Sequence, residues 1–293
     1  MRRRDTYCMA MLIALFLCLT PISAPAEWSQ EPMAGGDVVM EGSAEGLRYC
    51  VERFTEDGAR CYLTRIQMED PGKQIRKATS KWHKNLMFPS DQAKRMDVKA
   101  TIVINGSGFV CPDYPKIPES WPGKNKSYFY EPLGSLTVNA GEVMRKLDGI
   151  PFYGLTLQED GLHMHVGEDL DEVLAQGVLE TWSFYDASPL TLGEESLVDR
   201  AWKFSNEREC RTVVGRLSDT EYFLLTVTNK TNAGLTLVHV TDWLLSSLRP
   251  LWAYNLDGGA SSALFVRDEK GTLKTVYGNK VQTVDIMAFC PLE

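Results

Sequence analysis

Residues 254–266 read YNLDGGASSALFV: two apolar segments flank Asn255, Asp257, Gly258, Gly259, Ala260, Ser261 and Ser262. A carboxylate, two hydroxyls and a glycine pair at the end of a strand are the parts of a ligand site. Glycine reaches positive φ and lets a ligand approach the backbone. The amides of Gly259, Ala260 and Ser261 can form an anion-binding nest, with Ser261 and Ser262 adding hydroxyl donors. Asp257 adds a base or an orienting group. The same residues also suit a tight turn in which Asp257 bonds its own backbone.

Asn105-Gly106-Ser107-Gly108-Phe109 repeats the pattern, with the buried run ATIVI ending in a polar, flexible turn. It lacks glycines two before and two after the serine, so it is not a nucleophile elbow. Arg211 and Thr212 open the apolar segment RTVVGRL. A guanidinium beside buried strand residues needs a partner, and its planar fork suits a phosphate or a carboxylate; a structural salt bridge serves equally. His163 and His165 alternate in LHMHV and point to one face of a strand, but no matched third ligand accompanies them. Neither a Gly-x-Gly-x-x-Gly turn nor a Walker loop occurs, which disfavours a nucleotide cofactor. No metal and no cofactor are expected.

These motifs need elements to hold them. Segments 47–54 and 60–68 resemble a hairpin. PSDQAKRMDV (89–98) resembles a short helix capped by Ser90. ATIVING (100–106) is a strand buried on both faces. Residues 133–166 alternate short strands with turns at 139–141, 147–149 and 159–161. EDLDEVLAQG (168–177) is a helix closed by Gly177. Segments 212–228 form a hairpin. TLVHVTDWLLSSL (236–248) is a helix capped by Thr236, with an apolar stripe of Leu237, Val240, Leu244, Leu245 and Leu248. Strand 251–256 then delivers the Asp257 turn, a further hairpin turns at 268–271, and TVDIMAF (283–289) closes the sheet. The proline-rich stretch 111–132 is a long loop. Strands outnumber helices, which gives an α+β fold: a single domain with a mixed, largely antiparallel twisted sheet and a few packed helices.

The chain has 293 residues and a net charge of −8, with 44% hydrophobic and 24% charged residues, which fits a globular protein. MRRR, then an apolar run Tyr7–Leu19, then Ala24-Pro25-Ala26 reads as a signal peptide of residues 1–26, whose apolar run is short for a membrane span, so no stable span is expected unless the signal stays uncleaved. Residues 27–44 read as a linker or disordered arm, and 45–293 as the domain. The expected localisation is secreted or cell-envelope. Loss of Arg2, Arg3, Arg4 and Asp5 with the leader makes the chain more acidic, which excludes general nucleic-acid or anionic-membrane binding. An anionic substrate must therefore meet a local positive site. Export favours disulfides among Cys50, Cys61, Cys111, Cys210 and Cys290. Cys50 and Cys61 flank a hairpin turn and are the pair expected to face each other.

INGSGF (104–109), RTVVG (211–215) and NLDGGASS (255–262), in this order and spacing, resemble the phosphodiester glycosidases. ETWSFYDASPL (180–190), GLTLVHVTDWL (234–244) and NKVQTVDIMAF (279–289) support the resemblance, which covers roughly residues 45–293. It implies a hydrolase that cuts between a sugar's anomeric carbon and a phosphodiester oxygen, with a phosphorylated glycan or glycoconjugate as substrate. Carried over by motif, the catalytic residues are Asp257, Asn105 and Arg211. The substrate-binding residues are Gly106, Thr212, Asn255, Gly258, Gly259, Ser261 and Ser262. The substrate's phosphate leaves readily as a monoester anion, so general-acid help matters less than in ordinary glycosidases. Glu180 and Asp285 are candidates for a second carboxylate. Three departures stand out: Ala260 replaces a glycine and narrows the pocket, Gly108 replaces an aromatic and enlarges it, and Trp182 replaces a phenylalanine. The competing expectations are a non-catalytic glycan or cell-wall binding protein on the same scaffold, and a phosphodiesterase that cuts the P–O bond.

Overall fold

The strands follow from the apolar runs, and those runs are continuous because both of their faces are covered. The computed structural model describes residues 28, 32–80, 85–109, 130–184, 188–278 and 280–292. The leader, Cys111 and most of the proline-rich loop lie outside the described residues. In chain order the strands are β1 (Asp37–Ala44), β2 (Leu47–Glu56), β3 (Ala59–Met68), β4 (Ile75–Thr79), β5 (Ile102–Asn105), β6 (Leu136–Asn139), β7 (Glu142–Lys146), β8 (Phe152–Gln158) and β9 (Gly161–Glu168). They continue with β10 (Glu180–Ser183), β11 (Pro189–Leu192), β12 (Glu195–Ser196), β13 (Arg211–Arg216), β14 (Glu221–Val227), β15 (Trp252–Asn255), β16 (Leu264–Arg267), β17 (Leu273–Tyr277) and β18 (Asp285–Phe289).

Eight strands form one sheet in the order β1-β2-β3-β14-β13-β15-β11-β12. Five form a second, β17-β16-β5-β18-β4, and smaller sheets are β10-β8-β9 and β6-β7. Val214, Leu224 and Tyr254 of the large sheet pack with Ile104, Leu264 and Met287 of the second and with Leu155 and Trp182 of the third. Alternate residues Val213, Leu225 and Ala253 pack under Leu237, Val240 and Leu244 of the helical segment. On the far side, Val103, Phe265 and Ile286 pack on Ala93. Successive side chains point to opposite faces. A strand between two covered faces therefore buries every residue, at about 1.5–3 kcal/mol for each fully buried Val, Leu or Ile.

Several expectations change in detail. Every strand pairing among the described residues is antiparallel, so the expected mixed sheet is instead a set of antiparallel sheets with few helices. A parallel pair needs a crossover of a dozen or more residues, usually a helix. Among the described residues the α-helices run four to seven residues, the longest, Leu237–Trp243, continuing as a π-helix through Leu248, so the expected helix over 236–248 forms. The arm 27–44 contributes β1, the edge partner of β2. The first-turn proline moves the helix start to Pro89–Lys94, with Phe88 rather than Ser90 at the cap and no side-chain cap bond. Thr236 caps its helix as expected, accepting from the His239 N–H at 3.0 Å.

The disulfide expectation fails on register. Asp57 (φ 44°) and Gly58 (φ 74°) make a two-residue turn with positive φ at both positions. That turn pairs Cys61 with Phe54 and Cys50 with Arg65. Both cysteines are buried free thiols, as are Cys210 and Cys290.

Candidate active site

Three strand ends meet at one end of the sandwich. β15 runs antiparallel to β13, so its C-terminus lies beside Arg211, and the ladder continues with Leu256 N–H donating to the Thr212 carbonyl at 2.8 Å. β5 ends beneath them in the facing sheet. The Asp257 N–H donates to the Gly106 carbonyl at 3.1 Å, which joins the two sheets at the motif itself.

Asn105 is the clasp between the three motifs. Its Nδ2 donates to the Asp257 carbonyl at 2.7 Å, while its Oδ1 accepts from the Thr212 hydroxyl at 2.8 Å and from the Ala263 N–H at 3.0 Å. The residue is 0% exposed. Asn105 and Thr212 thus fix the turn from below rather than reach into solvent.

The turn holds Asp257 at its rim. Gly259 adopts φ 59°, and residues Gly259–Ser261 form one 3₁₀ turn. The Gly259 N–H donates to the Cys210 carbonyl at 2.9 Å and the Ser261 N–H to the Gly258 carbonyl at 3.1 Å. Two of the three amides expected to form an anion nest are therefore spent within the protein. Asp257 is half-buried. Burial pushes its carboxyl up to about 7, against the pull of the Ser261 hydroxyl and the Gly258 N–H, and nearby Asp285 pushes the same way. The Ser262 hydroxyl and both polar atoms of the Asn255 carboxamide are buried without a hydrogen-bond partner. Such groups are costly unless a ligand or water satisfies them.

Arg211 lies elsewhere. On β13 it alternates with Thr212 and shares the helix-side face of Val213. Its Nε donates to the Leu235 carbonyl at 3.2 Å, and its Nη2 to the carbonyls of Phe204 (3.5 Å) and Glu207 (2.5 Å). The guanidinium sits 4.9 Å from the Phe204 ring centroid. Burial lowers its pKa to about 10, partly offset by Glu209 and Glu207, so it keeps its charge at neutral pH. Its carbonyl bonds take the place of the phosphate or carboxylate that its chemistry suggested.

Asp285, one of the two candidate second carboxylates, sits in a buried cluster with Ser107 and Lys77. Asp285 is 0% exposed. Its Oδ1 accepts from the Ser107 N–H at 2.6 Å, its Oδ2 accepts from the Ser107 hydroxyl at 2.8 Å, and the Lys77 ammonium lies 3.5 Å away. Lys77 also donates to the Thr181 carbonyl at 2.6 Å. Burial raises the Asp285 pKa, opposed by Lys77 and Ser107. A side chain at Gly106 would collide with the Asp285 carboxylate, which accounts for the glycine. Glu180, the other candidate second carboxylate, accepts from the Ala140 N–H at 3.0 Å, and burial raises its pKa. In the sequence the cluster is marked by Ser107 in INGSGF and Asp285 in TVDIMAF, while Lys77 stands in no motif.

The three departures also resolve. The space at Gly108 is filled by the Phe184 ring, so it does not enlarge a pocket. Ala260 is exposed, and its methyl does not close the site. Trp182 is 0% exposed core, its Nε1 donating to the Ile286 carbonyl at 3.2 Å. His163 pairs with Asp160 at 2.7 Å, whereas His165 bonds Glu168 and Thr156, each at 2.8 Å.

No curated protein matches the chain. Among solved structures, the catalytic domain of zebrafish N-acetylglucosamine-1-phosphodiester alpha-N-acetylglucosaminidase, auto-inhibited by its pro-peptide, has a TM-score of 0.61 at 16% identity. The match covers 89% of this chain and 91% of that one, and it shows the shared fold. A hypothetical protein from Synechocystis has a TM-score of 0.47 at 14% identity, covering 83% of this chain and 62% of that one. The phosphodiester glycosidase family model matches residues 98–286, a stretch that contains all three motifs meeting at Asp257; the chain belongs to that family.

Proposed function

We propose that the protein is an exported hydrolase that cleaves the glycosidic bond of a sugar-1-phosphodiester, with Asp257 as its acid–base group. One observation carries this reading: a half-buried carboxyl with a pKa of about 7 stands on a glycine turn where the family motifs converge. A group with a pKa near the working pH is both adequately ionised and adequately basic. In its ionised form Asp257 accepts a proton from water as the water adds to the anomeric carbon. The substrate's phosphate departs with the bonding electron pair as a phosphate monoester anion, and the water's oxygen stays on the sugar. Asn255, two residues before, keeps a fully buried carboxamide without a partner. Ser261 and Gly258 hold the carboxylate in place, and Asn105 and Thr212 hold the turn. Arg211 stabilises the site by fixing the carbonyls of residues 204, 207 and 235, and this role replaces the phosphate clamp.

The leader-like N-terminus supports action outside the cytoplasm, in the envelope or beyond. The name of the zebrafish enzyme supplies the first substrate to try, an N-acetylglucosamine-1-phosphodiester. Release of free reducing sugar, with solvent ¹⁸O on the sugar carbon, is the expected result. Label on phosphorus would instead assign a P–O-cleaving phosphodiesterase. Tight binding without turnover would assign the glycan-binding alternative, which the sealed position of Asp285, one of the two candidate second carboxylates, favours.

A further inference from the structure

The site as described lacks a cation for the substrate's phosphate. Arg211 is bound to carbonyls, the turn's amides at 259 and 261 are spent, and the protein as a whole is acidic. Two lysines on separate loops answer this. The Lys230 ammonium lies 5.6 Å and the Lys280 ammonium 5.5 Å from the ring centroid of the same residue, Tyr277. Both lysines are exposed, and neither has a carboxylate within ion-pair distance among the described residues. Lys73, Lys77, Lys94, Lys146, Lys203 and Lys274 all have one, and of the described lysines without one, Lys230 and Lys280 are the two that stand over an aromatic ring.

The platform beneath them is fixed and adjoins the turn. Tyr277 is 4% exposed. Its hydroxyl donates to Asn229 Oδ1 at 2.8 Å and meets the Cys210 sulfur at 3.1 Å. The carbonyl of that same Cys210 receives the Gly259 N–H. The next residue, Gly278, packs so closely on the Ser262 carbonyl that any side chain there would collide with it. Ser262, whose hydroxyl is buried and unpartnered, thus lies against the lysine-bearing strand end. An aromatic face attracts an ammonium by about 0.5–1 kcal/mol at an exposed site. Two exposed ammoniums, each within 5.6 Å of one ring centroid and neither ion-paired, are suited to attract an anion.

We propose that Lys230 and Lys280, steered by the Tyr277 ring, form the subsite that takes the phosphoryl oxygens of the substrate's phosphodiester. This rests on the reaction assigned above only for the identity of the anion. The test uses the full-length protein and a Lys230→Gln/Lys280→Gln double variant, whose changes are on the surface. Calorimetry with inorganic phosphate is expected to show binding by the wild type that weakens with added salt, and at least about tenfold weaker binding by the variant. That ratio is about 1.4 kcal/mol. Equal binding by both proteins, or none by the wild type, overturns the subsite. In turnover of a sugar-1-phosphodiester, the variant's KM is expected to rise about tenfold, with a smaller change in kcat. A neutral aryl glycoside of the same sugar, if turned over, should show no such rise. An unchanged KM for the phosphodiester, or an equal rise for both compounds, also overturns the subsite. Phosphate binding that depends on the lysines, in a protein with no turnover, would uphold the subsite and sink the hydrolase reading alone.

Discussion

Asp257 and Asp285 stand at the same end of the sandwich, and burial raises the pKa of both. They differ in what surrounds them. Asp285 is sealed, with a hydroxyl and an amide of Ser107 on its two oxygens and a lysine beside it. Asp257 stands half-buried at the rim, held by one hydroxyl and the amide of the next residue. A raised carboxyl pKa therefore does not by itself mark chemistry. What separates the two is placement: Asp257 is a half-buried residue on the turn where the three motifs meet, whereas Asp285 is fully buried.

The sharpest way to break this comparison is to remove Asp285. Asp285→Ala leaves the Lys77 charge buried and uncompensated, which costs about 3–5 kcal/mol. Urea denaturation should show that loss as a lower midpoint; a variant as stable as the wild type would deny the cluster its structural role. Asp257→Asn should do the reverse. Turnover falls by ~10²-fold or more, the scale of a positioned acid–base group, while the fold stays intact by circular dichroism. Near-normal turnover would remove Asp257 from the mechanism.

A smaller effect separates backbone need from chemistry. Gly108→Ala pushes a methyl into the Phe184 ring, and overpacking of this kind costs about 1–3 kcal/mol. Thermal melts should show it. A variant melting with the wild type would mean that Phe184 swings aside freely.

The smallest effect is a pH slope. Asp257 holds its proton to about pH 7 in the folded protein but loses it near the ordinary carboxylate value when unfolded. The folded state thus binds more protons across that window, and stability falls as pH rises from about 4 to 7. Asp257→Asn should flatten part of this slope and be more stable than the wild type at pH 8, with little difference at pH 4. Asp285 adds a slope of the same sign. Activity should run the other way and rise toward a plateau above pH 7, as the ionised form accumulates. A rate that is flat between pH 5 and 8 would contradict Asp257 as the base.

The sequence carried the strand ends, the Thr236 cap and the glycine turns, because each of these depends on neighbours a few residues apart. Apolar runs such as ATIVI, RTVVG and DIMAF announced strands covered on both faces. The Asn105, Arg211 and Asp257 motifs were legible as strand termini, and their convergence was legible only through the family resemblance. Cys50 and Cys61 show the limit. Their spacing suggested a pair, but a two-residue turn set the register and placed Phe54 opposite Cys61.

The sequence by itself therefore determined which segments become strands, where they stop, and which chemical groups stand at the stops. The tertiary structure decided which of those groups are already spent. Asn105 bonds partners 107 to 158 positions away in the chain, and Ser107 bonds Asp285 across 178. Arg211 turns to the helix side because β13 pairs with β15 in one register and not its neighbour. No local propensity encodes such commitments. They depend on how two sheets meet, and that meeting leaves Asp257 at the rim and seals Asp285 beneath it.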